Sequence, residues 1–318
     1  MAPYYHSKIG AAAKIPVPDP TPVLSFSPVE LPAPDRPVPL QLRVSAPQSG
    51  TNLPIILLSH GLGHCHWISS HFAYAPLSDF WASRGFVVIQ PTHLDSHFLG
   101  LQPNDSYWES RLKDIVQIMD QIDDIEKVVP CLAGRLNKDK FAIAGHSMGA
   151  FTADLFLGAT NTDPRDGKVT TQADARIKAG IILAGAGSGD DVADQVRPMI
   201  PYYGPNFATM TTPTLVVGGD EDNVPLSTRG ADFFTDSYRL SPSPKALLMV
   251  RGAGHGLGGV STWDALESQN DSPERLGTVQ KMTWAYLWSQ LYGDDGEAWG
   301  KAVEAMRGLE ELGSIETK

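Results

Sequence analysis

Residues 145–149 have the sequence Gly-His-Ser-Met-Gly, and whether the serine has a chemical role depends on the elements on either side. This sequence fits the pattern Gly-x-Ser-x-Gly, in which a serine stands on a sharp turn between a buried strand and a helix. Residues 140–144 before it predict such a strand, and residues 150–157 after it predict the helix. In that context Ser147 is a candidate nucleophile. The alternative is a glycine-rich turn whose serine has no chemical role.

Three further polar sites each follow a predicted apolar strand. They are the stretch 60–63 (His-Gly-Leu-Gly), the acidic pair Asp220 and Asp222, and His255. Ligands of open α/β sheets bind beyond the carboxyl ends of the strands, so we expect these sites to meet at one edge. The chain order is that of a Ser-Asp-His triad. Ser147 would attack, His255 would take its proton, and an aspartate would hold the imidazole.

The acidic partner of His255 is not decided by spacing. Extended residues two apart point the same way, so Asp220 and Asp222 could both reach the imidazole. The one that does not would cap a helix or bond loop amides, a role that suits aspartate.

The remaining histidines near these sites raise the question of a metal. The candidates lie on predicted loops rather than at the rigid spacings typical of metal sites; they are His64, His66, His93, His97 and Asp95. We therefore expect no metal and no organic cofactor. His60 is expected to brace its own loop through its ring nitrogens.

Apolar runs alternate with amphipathic stretches along the chain, which predicts an α/β fold with a mostly parallel central sheet and helices on both faces. Six buried strands are predicted, near 53–59, 86–89, 140–144, 177–184, 214–217 and 246–250, and the main helices near 76–84, 107–129, 231–238, 278–291 and 296–312. Residues 1–50 contain 11 of the 25 prolines and predict an extended arm with an edge β-ribbon. We expect a catalytic domain over 51–293 and a C-terminal amphipathic helix and tail over 294–318.

Composition restricts the partners. The net charge of −11, from 25 basic and 36 acidic residues, argues against nucleic acid and anionic membranes. No apolar run approaches the ~18 residues of a transmembrane helix, and Cys65 and Cys131 do not suggest a disulfide framework. The first residues lack the apolar core of a signal peptide. A cytoplasmic protein is expected, although a secreted protein whose leader had been removed would look the same.

These motifs together resemble the α/β-hydrolase superfamily over roughly 53–291. The loop 60–63 resembles the oxyanion loop of the branch that contains dienelactone-hydrolase-like proteins, platelet-activating-factor acetylhydrolases, chlorophyllases and bacterial polyester hydrolases. The acidic stretch 219–225 resembles that of the polyester hydrolases and the dienelactone-hydrolase-like proteins, and 252–255 resembles the histidine loop.

The resemblance implies roles for individual residues. The backbone N–H groups of Leu62 and Met148 would form the oxyanion hole, and the distance to Pro225 would make Asp222, rather than Asp220, the acid. Two features depart from relatives. Dienelactone hydrolases use cysteine where this chain has Ser147, and chlorophyllases and the acetylhydrolases are expected to carry the acid one strand earlier.

The expected function is that of a serine hydrolase of the carboxylesterase type (EC 3.1.1), which acts through an acyl-enzyme on a neutral, fairly hydrophobic ester. The ester could be a small molecule or a polymer, and a homodimer is possible. An aromatic pocket wall is expected from five residues: Trp67, Phe98, Trp108, Tyr202 and Tyr203. The alternatives are an acyltransferase, thioesterase or amidase on the same triad, and a non-catalytic binding protein on a hydrolase scaffold.

Overall fold

The computed structural model describes residues 9–62, 68–261, 271–293 and 296–318. Trp67, from the predicted pocket wall, lies outside the described residues, as do His64, His66 and Cys65. The fold is mixed α/β, with a large and mostly parallel sheet flanked by helices, as the sequence predicted.

The strands follow the predicted apolar runs and add several short elements. In chain order they are β1 (Val23–Leu31), β2 (Leu40–Pro47), β3 (Leu53–Ser59), β4 (Val87–Pro91), β5 (Leu136–His146), β6 (Thr160–Thr162), β7 (Val169–Thr171), β8 (Ile177–Leu183), β9 (Pro205–Asn206), β10 (Thr214–Gly219), β11 (Lys245–Val250) and β12 (Gly313–Thr317).

Nine of these strands form the main sheet of the described chain, in the spatial order β1-β2-β4-β3-β5-β8-β10-β11-β12. The central pairs, from β4 through β3, β5, β8 and β10 to β11, are all parallel. The outer strands β1, β2 and β12 pair antiparallel. Because parallel strands share one direction, β3, β5, β10 and β11 all end at the same edge, where the predicted chemical residues follow them. Short strands β6, β7 and β9 form a separate three-stranded sheet.

Helices cover both faces of the sheet. They are α1 (Ala75–Ala82), α2 (Tyr107–Asp120), α3 (Ile122–Val128), α4 (Met148–Phe156), α5 (Asp236–Arg239), α6 (Pro273–Tyr292) and α7 (Glu297–Arg307). The core of one face contains side chains of α2, α3 and α4, and the core of the other contains those of α1, α6 and α7. Alternate residues of β3 enter the two cores, with Ile55 in the first and Ile56 in the second. Burial on both faces explains why these strands read as unbroken apolar runs.

Several elements differ from the sequence prediction. The predicted helix over 107–129 is interrupted at Gln121, whose φ of −102° and ψ of 21° leave the helical region, so two helices form. The stretch 231–238 begins as a 3₁₀ turn, and only Asp236–Arg239 is α-helical. The C-terminal helix ends at Arg307, and the residues after it supply β12, which pairs with β11. The main sheet thus includes strands from both sides of 51–293.

No helix in the described ranges combines the length and apolar character needed to cross a bilayer.

Candidate active site

The Ser147 turn between β5 and α4 is built for close backbone contact. Ser147 has φ 54° and ψ −119°, an uncommon conformation for a residue other than glycine. A Cβ on Gly145 would lie 2.0 Å from the carbonyl oxygen of Gly149, and a Cβ on Gly149 would lie 2.0 Å from that of Ser59. Both glycines are therefore required sterically. Backbone strain of this kind, held by its surroundings, is typical of functional sites.

Two backbone amides lie beside this turn. Met148 is the first residue of α4, where N–H groups have no intrahelical acceptor and the helix dipole favours negative charge. Leu62 follows β3 and Gly61, and its side chain is 42% exposed. A Cβ on Gly61 would lie 3.2 Å from the Cβ of Ser147, so the loop that carries Leu62 packs directly against the turn. Met148 and the loop of Leu62 thus lie beside the Ser147 turn, and the oxyanion role of their two amides stays a prediction.

The loop after β10 brings Asp222 to His255. Asp222 Oδ2 accepts a hydrogen bond from His255 Nδ1 at 2.8 Å, and its Oδ1 accepts one from the Val224 N–H at 3.3 Å. The Asp222 side chain is fully buried, whereas that of His255 is 20% exposed. Since a carboxylate can only accept, His255 Nδ1 carries the proton and donates it in this hydrogen bond, and Nε2 is left as the nitrogen that can act as a base.

Asp220 has a different partner. Its Oδ1 accepts a hydrogen bond from the Gly252 N–H at 2.6 Å, which ties the acid loop to the start of the histidine loop. The residue is exposed, and the carboxylate that bonds the His255 imidazole is that of Asp222. The two carboxylates that spacing alone could not separate therefore have distinct contacts.

In the described chain, Ser147 Oγ makes no hydrogen bond with the His255 ring, although both residues lie at the same sheet edge. The ring of His255 lies 5.0 Å from that of His146, the residue before Ser147. Hydrogen bonds of catalytic groups are often long without substrate and shorten when it binds.

His60 braces the loop after β3, as predicted. Its Nδ1 donates to the carbonyl oxygen of Gly61 at 2.8 Å, and its Nε2 accepts from the His93 N–H at 3.1 Å. Burial, and then the nearby charge of Arg111, hold the pKa of His60 well below its ordinary value. A neutral ring with its proton on Nδ1 satisfies both bonds.

A second Ser-His-Asp array lies beneath this loop, and sequence reasoning missed it. Ser59 Oγ bonds His93 Nε2 at 3.0 Å, and His93 Nδ1 bonds Asp114 Oδ2 at 2.8 Å. All three side chains are buried, and Asp114 also pairs with Arg36. Burial raises the pKa of Asp114 to about 7. Because Ser59 has no access to solvent, this array supports the sheet edge and is not a second site of attack.

The four predicted pocket aromatics that the structure describes fall into two groups. Trp108 stacks on Tyr202, with ring centroids 5.2 Å apart, and Phe151 of α4 contacts both rings and Tyr203. Trp108, Tyr202 and Tyr203 are almost entirely buried. This cluster packs against α4 one turn after Ser147. Sequence reasoning missed Phe151, although its position on the helix that follows the serine could have indicated it.

Phe98 lies in a different group. Its ring is 5.3 Å from that of Phe72, which is 40% exposed, and 5.9 Å from that of His71. Among the described residues, Phe98 therefore makes no ring contact with the Trp108 cluster, and the single pocket wall stays a prediction.

Groups of three or more His, Cys, Asp or Glu side chains that could hold a metal ion are not found in the ranges that the structure describes. His93, weighed as a metal ligand, uses both ring nitrogens for Ser59 and Asp114.

Comparison with known protein families gives one result that covers most of this architecture. The model of the chlorophyllase family matches residues 23–229, more than half of the chain. The chain belongs to the chlorophyllase family. This family is part of the α/β-hydrolase superfamily, and membership indicates an ester hydrolase of the α/β-hydrolase type. A search of curated proteins found no match.

The matched residues include Ser147 and Asp222, whereas His255 lies beyond them. Chlorophyllases are expected to carry the acid after the strand that follows the serine strand, here β8, whereas the acidic loop of this chain predicted Asp222. That strand ends at Leu183, and the carboxylate in contact with His255 instead follows β10. The chain thus combines a chlorophyllase family match with a His255-bonded carboxylate that lies one strand later than the position expected for chlorophyllases.

Proposed function

We propose that this chain is a serine carboxylic-ester hydrolase that works through an acyl-enzyme, with Ser147, His255 and Asp222 as its catalytic triad. The observation that carries the proposal is the 2.8 Å hydrogen bond between His255 and the buried Asp222 carboxylate, at the sheet edge where the Ser147 turn lies. Family membership supports ester hydrolysis, and the site supplies a nucleophile, a base and an orienting acid.

The reaction follows from these positions. Ser147 Oγ attacks the ester carbonyl carbon while His255 Nε2 takes the hydroxyl proton, and the Oγ–C bond forms. The carbonyl oxygen becomes an oxyanion, which the amides of Leu62 and Met148 stabilise. The C–O bond to the alcohol then breaks, and His255 returns its proton to the leaving oxygen. Water attacks the acyl-enzyme by the same route and releases the acid. Removal of one such amide donor costs ~10²–10³-fold in rate in comparable enzymes.

The surroundings of Ser147 favour a neutral and fairly hydrophobic ester. The exposed Leu62 side chain stands at the oxyanion loop, and the Trp108–Tyr202–Tyr203 cluster packs on the serine helix. The substrate would be a small molecule or a polymer, and no cofactor is required for the steps above. The family name makes a chlorophyll ester one compound to test among others.

The test is covalent labelling with a fluorophosphonate followed by peptide mapping. We expect the label on Ser147 in the wild-type chain, no label in Ser147→Ala, and loss of turnover in that variant with the fold kept. Ser59 is an internal control, because it also bonds a histidine of a His-Asp pair but is buried. Label on Ser59, or turnover that survives Ser147→Ala, would refute the proposal.

Substrate class is tested with matched chromogenic esters, thioesters and anilides of graded acyl length, together with a chlorophyll ester. We expect esters to be the best substrates. A preference for thioesters or anilides would indicate a thioesterase or amidase on the same triad. Failure of both labelling and turnover would favour a non-catalytic binding protein.

A further inference from the structure

We propose that Tyr74 and His146 are positioning residues that hold the oxyanion loop and the histidine loop at a fixed position relative to each other. The inference rests on the proposed function, because it assigns these loops their roles. Neither residue was singled out for chemistry by the sequence, although His146 is the second residue of the Gly-x-Ser-x-Gly stretch. The structure joins them in one continuous hydrogen-bond chain.

The chain of bonds runs from one loop to the other. The Gly61 N–H donates to Tyr74 Oη at 2.9 Å, and Tyr74 Oη lies 2.9 Å from His146 Nδ1. His146 Nε2 lies 2.8 Å from the carbonyl oxygen of His255. Gly61 directly precedes Leu62, the proposed oxyanion donor, and His255 is the proposed base. Two short bonds on either side of His146 therefore connect the two working parts of the site.

The direction of each bond is fixed by chemistry. An amide can only donate, so Tyr74 Oη accepts from Gly61 and gives its own proton to His146 Nδ1. A carbonyl oxygen can only accept, so His146 carries its proton on Nε2. One neutral tautomer of His146 satisfies every bond. Both ring nitrogens are then occupied, which leaves His146 without a free nitrogen for substrate.

Burial keeps this arrangement constant. Tyr74 is fully buried and His146 is 5% exposed. Burial, and then the neighbouring His255, lower the pKa of His146 to about 3. The ring therefore stays neutral where a hydrolase of this kind works, and the donor and acceptor roles do not reverse. A buried network with its partners satisfied is a rigid support.

The backbone of Tyr74 makes a third connection. Tyr74 has φ 61° and ψ 14°, a left-handed conformation that is unusual for an aromatic residue. In this conformation its N–H donates to the carbonyl oxygen of Ser261, in the loop that follows His255, at 2.7 Å. Its carbonyl oxygen accepts from the N–H groups of Leu77 and Ser78 at the start of α1. One residue thus ties α1 to both loops.

The consequence concerns rate rather than binding. In the same transition state, the Leu62 amide must donate a hydrogen bond to the oxyanion and His255 Nε2 must accept the proton of the Ser147 hydroxyl. Misplacement of a reacting group by about 1 Å can cost about 10²-fold in rate. Loss of the bridge is therefore expected to lower kcat and to leave KM nearly unchanged, because both residues are buried and do not face substrate.

The experiment compares Tyr74→Phe with Tyr292→Phe on a p-nitrophenyl ester. Tyr292 is a matched control, since its Oη donates to the Gly85 carbonyl oxygen at 2.6 Å, before β4 and at the opposite sheet edge. We expect both variants to lower the melting temperature. Tyr74→Phe should also lower kcat by about 10-fold or more, with KM within about 2-fold of wild type, whereas Tyr292→Phe should keep the wild-type kcat.

Variants of His146 test the bridge independently should Tyr74→Phe not fold. In His146→Asn the amide oxygen stands near the place of Nδ1 and can accept from Tyr74, while in His146→Gln the amide nitrogen stands near Nε2 and can donate to His255. His146→Leu keeps neither bond. We expect kcat to be lowest in His146→Leu and partly restored in the two amides. The losses of Tyr74→Phe and His146→Leu should also be less than additive when combined.

The inference is overturned if the Tyr74 and His146 variants fold, label at Ser147 and keep the wild-type kcat, or if they change only KM. A wild-type chain that neither labels nor turns over would instead refute the proposed function, and the inference with it. The labelling arm therefore separates the two failures.

Discussion

The acid of the triad gives a sharp prediction, because the structure determines what an amide would do in its place. Asp222 Oδ1 accepts from the Val224 N–H, and Oδ2 faces His255 Nδ1. In Asp222→Asn the Val224 N–H needs an acceptor, so the amide oxygen will occupy the Oδ1 position. The amide NH₂ then faces His255 Nδ1 and must donate to it. The imidazole proton is forced onto Nε2, and His255 can no longer take a proton from Ser147.

The magnitude follows from this change of tautomer. A triad histidine held in the wrong tautomer costs up to ~10⁴-fold in kcat, which is equivalent to about 5 kcal/mol of transition-state stabilisation. The side chain volume is unchanged and the bond to Val224 is kept, so the fold should remain. KM should change little, because Asp222 is buried and does not face substrate.

Asp220→Asn is the matched control, two residues away on the same loop. Its amide oxygen can still accept from the Gly252 N–H, and the position is exposed, so kcat should stay within about 2-fold of wild type. The assay is hydrolysis of a p-nitrophenyl ester by both variants, with circular dichroism to verify the fold. The reasoning is refuted if Asp222→Asn turns over at the wild-type rate, or if Asp220→Asn is the variant that loses activity.

Two further predictions concern the stability of the fold. Gly149→Ala should destabilise the fold by about 1–3 kcal/mol or more, since its Cβ would lie 2.0 Å from the Ser59 carbonyl oxygen; a variant with the wild-type midpoint in urea would contradict this. The unfolding free energy should decrease as pH falls below about 6.5. Burial lowers the pKa of four histidines, so they stay neutral in the folded state but bind protons in the unfolded state. They are His60, His71, His93 and His146. The raised pKa values of Asp114 and Asp154 act in the opposite direction, because these two carboxyls bind protons more readily in the folded state, but they are fewer than the four histidines. Equal unfolding midpoints in urea at pH 7 and pH 5 would refute the prediction.

Local sequence was sufficient for the buried parallel strands and for the Ser147 turn. The apolar runs that predicted parallel strands are buried on both faces, as β3 and β10 show along their whole lengths. The glycines at 145 and 149 are explained by contacts at the turn itself, where a Cβ would meet backbone atoms. Burial on two faces and steric exclusion act over a few residues, so they leave a readable pattern in the chain.

Less regular elements were harder to predict. The strand β12 contains polar and largely exposed residues, and it is held by pairing with β11 rather than by an apolar pattern of its own. The contacts between aromatic residues were equally hard to predict, because they depend on tertiary packing. Trp108 and Tyr202 are stacked although they are far apart in the chain, while Phe98 belongs to another group.

The pairing of polar side chains was decided by tertiary structure. Strand periodicity alone left Asp220 and Asp222 with equal reach, and only the resemblance to related acid loops favoured Asp222. In the folded loops Asp220 bonds Gly252 and Asp222 bonds His255. The Tyr74–His146 bridge joins residues that are 72 positions apart, and no local sequence spacing predicts it. Hydrogen bonds are directional and short, so which groups meet depends on how the loops close after the sheet has formed.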